Sequence, residues 1–324
     1  MFTKTFKEIS KKDVAIAGGK GASLGELTGA KIPVPPGFVV LASAFDRFLE
    51  ETDLDVEIEA ILKKVKHADI NSVEKASEEI RELILEANFP KDLAKEALKE
   101  FVKLKSTFVA VRSSATAEDS AVASWAGELE TYLNTTRKNL LKNIKLCWSS
   151  LFTPRAIFYR FEKKLHKTKV SVAVVVQAMV QSEVSGISFT VHPVTKDYDQ
   201  MVIEAGFGLG EAIVGGQITP DTYVIHKSDF SILDINVSEQ SFYLVRGKAG
   251  GTIPAFGRQA RLPASGGNSS KVKMGRQKLT GKQIVELAKI CKQIEKHYKK
   301  PQDIEWAMVK GKFYITQSRP ITTL

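Results

Sequence analysis

The sequence has little cysteine and no long apolar run, and both scarcities narrow what it can be. Its 324 residues hold two cysteines, Cys147 and Cys291. Each falls in a stretch of helical periodicity, which points to buried thiols and away from a disulfide framework or a cysteine-bound metal. No segment approaches the roughly 18 apolar residues that a membrane-crossing helix needs. The opening Met1-Phe2-Thr3-Lys4-Thr5-Phe6-Lys7-Glu8 also lacks the apolar run of a signal peptide. A cytoplasmic protein with no membrane partner is the expectation. Aromatic residues are missing where a nucleic-acid groove would need them. The formal net charge is +10, with lysines clustered at 63, 64 and 66, at 163, 164, 167 and 169, and at 296, 299 and 300. Yet no aromatics interleave with these clusters, most of which lie on or beside amphipathic helices and read as solvated faces. Nucleic acid is not expected as a partner. A positive field does favour a small anion.

What is present is ordinary globular material, 43% hydrophobic and 26% charged, in a chain long enough for two lobes. Chemistry concentrates in the last strand pair, Asp303 to Val309 and Phe313 to Pro320. Strand alternation puts Asp303, Glu305 and Ala307 on one face and Ile304, Trp306 and Met308 on the other. A loop of three residues, Lys310-Gly311-Lys312, would set Glu305 opposite Gln317 and Asp303 opposite Arg319; a loop of two would split them between faces. The sequence therefore predicts an odd-length loop or a bulge. Two carboxylates, an amide and a guanidinium on one face suit a divalent cation and a phosphate, or equally a half-exposed hairpin with cross-strand ion pairs.

Upstream, Ala17-Gly18-Gly19-Lys20-Gly21-Ala22-Ser23 is a glycine-rich turn carrying a lysine into an apolar-periodic segment. Glycines admit phosphate close to backbone N–H groups, and a following helix adds its N-terminal partial charge. The spacing is not a Walker A pattern. Phe108-Val109-Ala110-Val111-Arg112-Ser113-Ser114 is a strand ending in an arginine and two hydroxyls, well placed to grip phosphate oxygens. The small-residue loop around Trp125-Ala126-Gly127 could fold over a ligand or be a plain hairpin connection. In the buried run from Val170 to Val180 the amide of Gln177 needs a partner, either the edge of an adenine or a structural one. Helices are expected within 44–105, from Arg137 to Phe152, after Thr153-Pro154, and after the capping box at Thr280 and Gln283. Residues 240–278, rich in Gly, Ser, Arg and Lys, are the expected flexible segment. Gly206-Phe207-Gly208-Leu209-Gly210 lacks the strand-helix-strand context of a dinucleotide loop.

Ten ordered stretches, among them GGKGASLGEL, VRSSATAEDS, ASWAGELETYL, SLFTPRAIFYR, GLGEAIVGG and ITQSRPITTL, are similar to the N-terminal ATP-binding domain of the phosphoenolpyruvate synthase and pyruvate phosphate dikinase family. The resemblance implies an α+β ATP-grasp fold of two lobes closing on a nucleotide, divided here at 1–176 and 177–324. It implies ATP and Mg2+ as ligands. By position, Lys20, Arg112 and Arg319 look like phosphate-gripping, catalytic cations, and Gly127 and Thr131 resemble a lid loop. Gln177 resembles the adenine hinge, Glu305 and Gln317 the metal-binding pair, and Asp303 a supporting acid. Such domains pass a phosphoryl group to a histidine on a separate domain or partner, and on to pyruvate. The five histidines, His67, His166, His192, His226 and His297, lack that phosphohistidine setting. A similar ATP domain serves rifampicin phosphotransferases, and a non-catalytic nucleotide-sensing module is the remaining alternative.

Overall fold

Apolar alternation along β-branched runs builds two antiparallel sheets, each with one face available to helices. The computed structural model describes residues 1–116, 130–163, 170–247, 251–256 and 275–321. It is an α+β protein of two compact units, Met1–Glu26 with Pro36–Met179, and Leu27–Pro35 with Val180–Leu324. The segment Leu27–Pro35 thus joins the second unit, whereas a division at 176/177 leaves it in the first.

The first unit contains β1 (Thr3–Thr5), α1 (Val14–Gly29) up to Glu26, β2 (Gly37–Val40) and the helices α2 (Ala42–Glu51), α3 (Leu54–Lys63), α4 (Ile70–Glu86) and α5 (Lys91–Lys103). Then come β3 (Val109–Ala115), β4 (Thr131–Thr135), α6 (Leu140–Ser149), α7 (Pro154–Glu162) and β5 (Val172–Ala178). The sheet runs β1-β2-β5-β3-β4, antiparallel throughout. Val109 and Val111 of β3 and Val172, Val174 and Val176 of β5 face a core with Phe45, Phe48, Ile144 and Trp148 from the helices. The expected helix from Arg137 to Phe152 starts at Leu140 and tightens into a 3-10 turn at Ser150–Phe152. The hydroxyls of Ser149 and Ser150 bond back to the carbonyls of Leu146 and Cys147 there, which favours the tighter winding.

The second unit holds β6 (Val184–Phe189), β7 (Gln200–Phe207), α8 (Glu211–Val214), β8 (Asp221–His226) and β9 (Ile232–Asn236). It continues with β10 (Phe242–Arg246), β11 (Thr252–Phe256), α9 (Gly281–Tyr298), β12 (Gln302–Val309) and β13 (Lys312–Pro320). Its main sheet runs β13-β12-β6-β7-β8-β9, while β10 and β11 form a separate hairpin. The capping box predicted at Thr280 and Gln283 opens α9, whose Ile284, Leu287, Cys291 and Ile294 bury against Ile203, Tyr223, Ile304 and Trp306. Leu27 and Ile32 enter the same core, and the Pro33 carbonyl accepts the Ile315 N–H at 2.8 Å.

Most of the expected flexible segment at 240–278 lies outside the described residues, but its far end is fixed. The Lys278 ammonium and the Asp221 carboxylate form an ion pair of 2.7 Å with both side chains 0% exposed. Asp221 also accepts from the N–H groups of Ser238 and Lys278 and from the Tyr223 hydroxyl. Lys278 donates further to the Ser238 carbonyl and lies 5.4 Å above the Phe207 ring. Among the described residues no helix is long and apolar enough to cross a membrane.

Candidate functional site

In the first unit the candidate residues are organised by a break in a helix. Gly18 has φ 68° and ψ 171°, so α1 is interrupted there and Lys20 stands in the first turn of the part that continues to Gly29. That backbone conformation is essentially restricted to glycine. Space demands glycine as well, because a Cβ on Gly18 would lie 2.2 Å from both the carbonyl oxygen and Oγ of Ser114. The Ser114 hydroxyl, fully buried, donates to the Ala17 carbonyl at 3.0 Å and accepts the Gly21 N–H at 3.3 Å. One serine at the end of β3 therefore clamps the glycine turn to the sheet.

The clamped face is the one turned away from the helical core. Arg112 pairs in register with Val175 and Thr131, and Gln177 pairs with Ala110 and Gly37. Directly opposed residues share a face, so Arg112, Ser114, Thr131 and Gln177 lie together beneath the turn that carries Lys20. Arg112 is only 8% exposed. The Gln177 Nε2 is buried without a hydrogen-bond partner among the described residues, an orphan donor of the kind a ligand acceptor would satisfy. Thr131 does not sit on a loop: it is the first residue of β4, where pairing with Arg112 extends the chain. Gly127 lies outside the described residues. Just before β4, the Glu130 carbonyl accepts both the N–H and the hydroxyl of Ser113, while its carboxylate takes Arg81 at 2.9 Å and the Tyr132 hydroxyl. Burial, followed by that bond to Glu130, pushes the Tyr132 phenol well up.

In the second unit the terminal hairpin solves its register by a bulge. The turn is two residues, Lys310 and Gly311, both at positive φ, and Val309 pairs with Lys312. This is the primed geometry that matches the twist of paired strands, and so the three-residue loop does not form. Unbroken, that register would place Thr316 opposite Glu305 and turn Gln317 and Arg319 into the core. Instead the register shifts between Glu305 and Trp306, leaving Thr316 as the extra residue. Glu305 then faces Gln317 and Asp303 faces Arg319, all on the polar side, while Trp306 and Ile315 fill the core. Arg319 donates from Nε at 2.9 Å and Nη2 at 2.8 Å to one oxygen of Asp303, so the acid orients the guanidinium. Glu305 and Gln317 offer oxygens on neighbouring strands, suited to a hard cation. Among the described residues no three His, Cys, Asp or Glu are grouped to hold a metal.

Residues 14–324 match the family described as pyruvate phosphate dikinase, AMP/ATP-binding domain. The chain belongs to this family. Over 330 residues, all of the chain and 27% of the relative, it is 46% identical to a probable phosphoenolpyruvate synthase of Methanocaldococcus jannaschii. Identity to the phosphoenolpyruvate synthase of Pyrococcus furiosus is 39%, over 100% of the chain and 44% of that protein. Identity to the rifampicin phosphotransferase of Bacillus subtilis is 38%, over 98% of the chain and 35% of that protein. The chain spans less than half the length of each of these three relatives. The sequence marks Ser114 as one of the hydroxyls ending β3, but not its clamp on the glycine turn. A hydroxyl next to a glycine turn only through tertiary contact leaves no local signal.

Proposed function

We propose that the chain is the ATP-binding and phosphotransfer domain of a phosphoenolpyruvate synthase-like enzyme. It would take a phosphoryl group from ATP, towards AMP, and deliver it to a histidine on a separate domain or partner, ultimately for pyruvate. The observation that carries this reading is the bulge at Thr316, which presents Glu305, Gln317, Asp303 and Arg319 on one sheet face. The ATP-grasp fold belongs to the same reading, since each unit supplies an open antiparallel sheet with a polar face. Lys20 and Arg112 would grip phosphate oxygens, with the N–H groups after Gly18 beside them, and Gln177 would meet the adenine edge. Glu305 and Gln317 would hold Mg2+, which supplies charge neutralisation at the phosphates. Arg319, oriented by Asp303, would place a fork of donors there. The match to a rifampicin phosphotransferase keeps a second acceptor in view, one chosen by parts outside these residues.

The test is calorimetric titration with ATP, with and without Mg2+. Wild type should bind, the double variant Lys20→Ala with Arg112→Ala should not, and Glu305→Ala should lose the Mg2+-dependent part of the affinity. Absence of wild-type binding, or Mg2+ dependence unchanged in Glu305→Ala, would defeat the assignment. Arg319→Lys keeps the charge but loses the fork. Its ATP affinity should fall by about 1.5–3 kcal/mol, the worth of a charge-assisted hydrogen bond, or roughly 10- to 150-fold. Equal affinity would show that charge alone suffices.

A further inference from the structure

Glu204 lies in the middle of β7 between Met201, Val202, Ile203 and Ala205, all buried. Register fixes where it points. Glu204 pairs with Ile187, Ile187 with Glu305, and Glu305 with Gln317. The carboxylate is therefore presented on the same face as the proposed cation pair, two strand spacings or roughly 9.5 Å from Glu305. The backbone that aims it is held tightly: a Cβ on Gly186 would come within 1.8 Å of the Glu204 carbonyl oxygen and 2.6 Å of Trp306 Cζ2.

Half-buried, this carboxylate receives no hydrogen bond and no ion pair from the described residues. Burial pushes its titration up, and the negative charge of Asp303 adds to that. A partly desolvated carboxylate beside a like charge, with no donor among the described residues, is matched by a ligand that brings hydrogen-bond donors. A phosphate would be repelled, and the apolar Ile187 stands between Glu204 and the proposed cation pair. Of the parts of a nucleotide, the ribose has the matching chemistry. Its vicinal hydroxyls are two O–H donors for two carboxylate oxygens, and a triphosphate chain separates them from the metal-bound end by a comparable length.

We propose that Glu204 accepts the two ribose hydroxyls of the bound nucleotide and so sets a preference for ribonucleotides over deoxyribonucleotides. This rests on the ATP reading above. Ile187, between Glu204 and Glu305 on the same face, would pack on the apolar edge of the sugar, and Thr222, opposite Glu204 on β8, would flank it.

The experiment titrates wild type, Glu204→Ala and the isosteric Glu204→Gln with ATP, 2′-deoxyATP and 3′-deoxyATP in Mg2+, with thermal unfolding as the check on folding. Wild type should bind ATP about tenfold or more tightly than either deoxy analogue, the scale of one lost charge-assisted hydrogen bond. In Glu204→Ala the ratio should fall to about one, with deoxy affinities and Mg2+ dependence unchanged; Glu204→Gln should retain part of the ratio. A wild type that binds ATP without discriminating, or a ratio unchanged in both variants, overturns the role of Glu204 and leaves the ATP reading standing. Loss of Mg2+ dependence in Glu204→Ala would place the residue at the cation and overturn it too. A wild type that binds no ATP removes both together.

Discussion

Gly18→Ala is expected to cut ATP affinity by about 10- to 150-fold, the roughly 1.5–3 kcal/mol worth of a charge-assisted hydrogen bond to phosphate. Two effects act together. The φ of 68° with ψ 171° costs a side chain on the order of 1–3 kcal/mol. The new Cβ also has to occupy space 2.2 Å from the Ser114 carbonyl oxygen and Oγ, an overlap that costs roughly another 1–3 kcal/mol through backbone shifts. Relief can come only from lifting the turn off β3 or from moving the end of β3. Either separates Lys20 from the face that carries Arg112. Gly29→Ala is the control, since nothing lies within 4 Å of a Cβ there, and it should bind ATP as wild type does. Calorimetry on both variants decides the matter: equal binding by Gly18→Ala would mean that the turn does not cradle phosphate.

The largest loss of stability is expected from Lys278→Met. It strands the Asp221 carboxylate in a site where both partners are 0% exposed. Breaking a buried pair by removing one member costs about 3–5 kcal/mol, which corresponds to a melting temperature lower by roughly 10 °C for a protein of this size. The remaining donors, the N–H groups of Ser238 and Lys278 and the Tyr223 hydroxyl, stay in place but cannot replace a full charge. Removing both charges, as Lys278→Met with Asp221→Leu, should cost less than the single change, because no buried charge is left alone. Thermal unfolding of the two variants measures the difference. A single variant within about 1 kcal/mol of wild type would show that solvent reaches the carboxylate.

Patterns that act locally were legible in the sequence. The alternation of Ile304, Trp306 and Met308 against Asp303 and Glu305, the capping box at Thr280 and Gln283, and the Thr153-Pro154 helix start all appear where they were expected. The hairpin shows where legibility stops. Chemistry on one face required an odd residue somewhere, and the sequence left open whether the loop or a bulge supplies it. Lys310-Gly311 at positive φ settles the turn at two residues and moves the correction to Thr316, a choice made by twist and core packing. The clamp made by Ser114 and the placement of Glu204 were not legible for a related reason. The first acts on a glycine turn whose Gly21 lies 93 positions earlier in sequence, and the second gains its place only through three strand pairings. The ion pair of Lys278 left no local signal, because its partner Asp221 lies 57 positions earlier.

The chain passes from the first unit to the second after Glu26, returns at Pro36, and crosses again after Met179. The two units are therefore covalently joined at three places, and a single peptide-bond cleavage between Met179 and Val180 leaves them tethered by the other two. A fragment beginning at Val180 would lack Leu27 and Ile32 from its core and the Pro33 carbonyl from the edge of β13. The second unit is thus completed by residues synthesised before most of the first, and the Ile315 N–H of its strand β13 takes its acceptor from them.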